Sequence, residues 1–75
     1  MIEVNNYAKL ETLRDSILLA VLDIGEPTAR AIQDWCADEN SLNRFAISET
    51  IPILVRDGYL ERFADGSIAR YRLPK

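Results

Sequence analysis

The hydrophobic period of this chain changes once, from 3.6 residues to 2, and it changes at Gly58. Before that glycine the apolar residues recur at helical spacing. After it they alternate in two runs, residues 59–64 and 67–73, on either side of Asp65-Gly66. Alternation flanking Asp-Gly is a strong short-range hairpin signal. A two-residue loop at Asp65-Gly66 predicts Phe63 opposite Ile68, Glu61 opposite Arg70 and Leu60 opposite Tyr71, all favourable cross-strand pairs. The expected fold class is mostly α with one β-hairpin (α+β). With 75 residues, the chain has room for one core, since about 60% of the unfolded surface is buried at this size.

Three helical segments precede the hairpin. From residue 7 to 23, Leu10, Leu13, Ile17, Ala20, Val21 and Ile24 share one stripe at 100° per residue. Leu18 and Leu22 make a second stripe, and Leu19 points nearly opposite the first. This is more apolar surface than one small core uses, and it predicts a homodimer through helix one, with Leu19 at the interface. Residues 1–6 are read as an N-terminal arm that joins that contact, and residues 7–75 as the single domain. Gly25-Glu26-Pro27-Thr28 interrupts the pattern, with Thr28 as the expected N-cap of a second helix over 29–37. That helix should bury Ala31, Ile32, Trp35 and Cys36 and turn Arg30, Gln33 and Asp34 to water, with Trp35 the largest piece of the core. Residues 38–43 are polar and end it. Ile47, Ile51, Leu54 and Val55 mark a third helix, beginning near Ser48 or some residues earlier and capped at Gly58. Pro52 has no amide proton, so this helix should start late or kink there.

Enzymatic chemistry is not expected. The chain has no histidine and one cysteine, Cys36, which falls in an apolar segment and reads as core filling. No nucleophile with its base and no His/Cys metal set can be assembled. The three glycines, Gly25, Gly58 and Gly66, lie too far apart for a phosphate loop. No cofactor and no metal are therefore expected. The longest apolar run, residues 17–22, is far short of the ~20 residues a membrane span takes. No signal-peptide pattern opens the chain, so a cytoplasmic protein is the expectation.

Helix, helix, helix and hairpin in this order resemble the winged helix-turn-helix superfamily. The residues that carry the likeness are 24–32, Ile-Gly-Glu-Pro-Thr-Ala-Arg-Ala-Ile, opening the second helix. Ile51, Leu54, Val55, Gly58, Tyr59, Leu60, Glu61 and Arg62 follow at the close of the third, and Tyr71, Arg72 and Leu73 end the wing. The likeness spans residues 7–73. It implies a three-helix winged helix-turn-helix domain whose third helix enters the major groove of double-stranded DNA while the wing touches the backbone. The residues so implied are Arg44, Ser48, Arg56, Arg62, Arg70 and Arg72, with Ser67 and the Gly66 backbone at the wing tip.

Charge divides the chain. The net charge is −3 and the pI near 4.8, which by themselves argue against nucleic acid. Residues 1–39 hold eight acids and three bases, whereas residues 40–75 hold four acids and six bases. The outer face of helix three offers Glu49, Pro52, Ile53 and Arg56, a poor supply of donors for phosphates and base edges. Two functions follow from sequence. One is a small DNA-binding transcriptional regulator using helix three and the wing. The other is a protein-interaction module whose surface includes Glu49, Ile53, Phe63 and Ile68.

Overall fold

A computed structural model describes residues 2–40 and 42–74, with side chains for 12–38 and 42–74. Helix α1 spans Ile2–Ile24, α2 Ala29–Asn40 and α3 Arg44–Arg56, followed by β1 at Glu61–Asp65 and β2 at Ile68–Arg72. This is a mostly helical α+β fold with a winged-helix-like arrangement of three helices and a hairpin. Met1 of the expected arm, the Leu10 side chain and Lys75 lie outside the described residues.

Helix α1 contains neither proline nor glycine, and it takes in residues 2–6, which are helical and not the separate arm expected from sequence. Nothing in that segment breaks the backbone ladder once the following turns are formed. The helix stops at Gly25, whose φ of +109° is a conformation glycine adopts without strain, and whose N–H reaches the Val21 carbonyl at 2.8 Å. Thr28 caps α2 as expected: its Oγ1 accepts from the Ala31 amide at 3.2 Å. Helix α2 outlasts its expected end at Ala37 by three residues, because the polar residues that follow contain no proline or glycine.

Asn43 starts α3. Its side chain accepts from the Ala46 amide at 3.1 Å, which places the helix start at Arg44, the earlier of the two expected positions. Pro52 is consequently interior and exposed, and having no N–H it cannot donate to the Ser48 carbonyl one turn earlier. The helix closes on Gly58, at φ +87°. Tyr59 N–H reaches the Leu54 carbonyl at 2.9 Å, and Gly58 N–H reaches Val55 at 3.2 Å. These two bonds make a Schellman close.

The hairpin differs from its expected register. Asp65 pairs with Ile68, Phe63 with Arg70, Arg62 with Tyr71 and Glu61 with Arg72. The two-residue loop is thus Gly66-Ser67 instead of Asp65-Gly66. Gly66 sits first in the loop at φ +67°, the position at which a primed turn needs a positive φ. The slip is two residues, so every side chain keeps its expected face. β2 is flanked on its other edge by the α1–α2 connection. Thr28 bridges Arg70, and the Tyr71 amide donates to the Pro27 carbonyl at 2.9 Å.

The core gathers Leu13, Ile17, Ala20 and Val21 from α1, Ile32 and Cys36 from α2, Ile47, Ile51 and Leu54 from α3, and Leu60 ahead of β1. Tyr71 packs against it from the hairpin. Trp35 is not the heart of this core but its margin. Its ring is only partly buried, and its indole N–H donates to Asp23 at 3.0 Å. Ala31 and Ile24 likewise lie outside the buried set, Ile24 because it is the last residue of α1. No described helix is long and apolar enough to cross a membrane.

Candidate interaction surface

With Ile47, Thr50, Ile51 and Leu54 turned inward, the helical period dictates what α3 shows to solvent. Phe45, Glu49, Pro52 and Arg56 follow one another along a single stripe, with Ser48 and Ile53 on its two flanks. All six are exposed. Phe45 is 70% exposed, the largest apolar side chain that the described residues present so openly. The sequence reading missed it, because Phe45 joins this stripe only if the helix begins at Arg44. The available signal was Asn43, a good N-cap residue.

The arginines expected to meet phosphate are in place on the surface, but most already have carboxylate partners. Arg44 is paired with Asp34 across the α2–α3 corner. Arg56 pairs with Asp57 at 3.1 Å. Arg70 donates to Asp65 at 2.8 Å and to the Glu26 carbonyl at 2.9 Å. Arg72 donates to Glu61 at 2.6 Å, lies 4.0 Å from Glu26, and stacks its guanidinium over Phe63 at 4.3 Å from the ring centroid. Arg62 alone of the five carries no carboxylate partner among the described residues. Ser48 is exposed and adds a hydroxyl.

Such exposed pairs are each worth about 0–1 kcal/mol, so they do not lock the arginines. They do set the charge of the surface, however. Of these five arginines each except Arg62 sits beside an anion, and Glu49 adds one more carboxylate in the middle of α3. A phosphate chain approaching this face meets acids and bases together, with little counterion release to gain. Of the expected protein-binding residues, Glu49 and Ile53 share the α3 face. Phe63 is half-covered by Arg72, and Ile68 stands exposed at the start of β2.

The remaining reactive group is Cys36. It is fully buried, and removal from water pushes its thiol pKa up to about 11. It is protonated and inaccessible at neutral pH. Comparison with known proteins finds no matching family model and no matching curated protein.

Proposed function

We propose that this chain is a protein-binding module that uses the exposed face of α3. The observation that supports this most is the stripe itself: Phe45, Pro52 and Ile53 are apolar and open to water around one carboxylate, Glu49. Aromatic and aliphatic anchors with a satisfied polar rim are the composition of an interface core. Exposed apolar side chains gathered on one helix face of a small domain also mark such a site. The partner would offer an apolar pocket for Phe45 and a cation for Glu49.

DNA binding is the second reading, and Arg62 favours it. In that case α3 lies in the major groove, and Arg44, Arg56, Arg70 and Arg72 exchange their carboxylates for phosphates. Electrophoretic mobility against mixed genomic fragments at 50 and 200 mM salt separates the two readings. The protein-binding reading expects no retention at either salt. Retention at 50 mM that collapses at 200 mM overturns it in favour of DNA.

A further inference from the structure

A second apolar surface lies on α1, away from the α3 face. Leu19 is 54% exposed and Leu22 67%, and the two stand near each other, one turn apart on the outer side of the helix. They form a ridge with a groove on each side. One groove, about 410 Å³, is lined by Asp15, Leu18, Leu19, Leu22 and Leu73. The other, about 520 Å³, is lined by Leu19, Leu22, Asp23 and Trp35. Both are of a size that admits several side chains.

Charge selects the occupant. The helices that wall these grooves belong to the half of the chain that holds eight acids and three bases. Each groove has a carboxylate at its rim, Asp15 or Asp23. Asp15 is matched by Arg14 at 3.1 Å, whereas Asp23 has no cation among the described residues and accepts the Trp35 indole N–H. A second copy, the occupant expected from sequence, would bring the same acids onto the same ridge. We propose instead that the α1 ridge and its grooves receive a cationic amphipathic helix from a partner protein. Its apolar side chains, spaced one turn apart, would fill the grooves, and a Lys or Arg would face Asp23, the rim carboxylate that Arg14 does not match. This surface is separate from the α3 face and does not depend on it.

Trp35 makes the proposal measurable, because it is the only tryptophan in the chain and lines one groove. Two synthetic helical peptides with the same leucine face are titrated against the intact chain, one with a Lys/Arg polar face and one with a Glu polar face. The cationic peptide should shift Trp35 emission saturably and move the amide resonances of Leu18, Leu19, Leu22 and Leu73. Leu22→Lys, at an exposed position, should weaken that binding at least tenfold while leaving the melting curve unchanged. Phe45→Ala should leave it intact, which keeps this test independent of the α3 reading. The proposal is overturned if the cationic peptide gives no shift, or if both peptides bind equally. It is also overturned if Leu22→Lys binds like wild type, or if wild type sediments as a dimer that Leu22→Lys dissociates.

Discussion

Replacing Ile17 by alanine tests the core directly. Ile17 of α1 is fully buried, in a core that gathers residues of all three helices. The change removes three carbons, and at ~0.8 kcal/mol per buried methylene the transfer loss is about 2.4 kcal/mol. A close-packed interior relaxes only partly around the hole, so the total should lie in the upper part of the ~2–5 kcal/mol range for such truncations. A domain of this length has roughly 4–11 kcal/mol in all at ~0.05–0.15 kcal/mol per residue. Ile17→Ala should therefore remove a third or more of the stability. Urea unfolding followed by helical circular dichroism reads this as a large fall in midpoint with an unchanged slope. Ile53→Ala is the control, because the same side chain is exposed on α3 and its loss should fall within about 0.5 kcal/mol. Equal midpoints for the two variants would refute the assignment of inner and outer faces.

Gly58→Ala isolates backbone strain, since a Cβ there meets nothing within 4 Å and only the φ of +87° opposes it. The expected cost is about 1–2 kcal/mol by thermal unfolding, and no loss would mean that the Schellman close does not hold α3. Cys36 supplies a pH dependence. Its thiol is raised from the ordinary value of 9.0 to about 11 on folding, so the unfolded chain loses the proton first. The stability linked to this thiol is fully present below pH 9 and should decline from there toward pH 11. The matching variant Cys36→Ala should lack that decline, and an identical alkaline slope in both proteins would refute the burial of the thiol.

Much of this architecture can be read from residues. The stripe of Leu13, Ile17, Ala20 and Val21 names the buried side of α1, and Thr28 and Gly58 name two helix ends, because capping is local chemistry that a few neighbours decide. The hairpin is legible as well, although its loop is not. Asp65-Gly66 and Gly66-Ser67 both satisfy a two-residue turn, and the choice depends on where Glu61 and Arg72 meet. Trp35 illustrates the opposite limit. Spacing places it beside Ile32, but only the packing of α1 on α2 shows that it lies at the rim, with its indole on Asp23. The candidate surface is the least legible part. Phe45 enters it through the Asn43 cap. The pairing of Arg44 with Asp34 and of Arg70 with Asp65 follows from tertiary proximity and register, neither of which a count of charges contains.

By the reading proposed above, α3 meets a protein through Phe45. A photoreactive phenylalanine analogue in place of Phe45, irradiated in cells that express the chain, tests it at the side chain concerned. The expected result is a discrete protein adduct that disappears when Ile53→Glu is added and does not form when the analogue replaces Asp38, an exposed residue of α2. An adduct with nucleic acid, or protein adducts indifferent to Ile53→Glu, would contradict it.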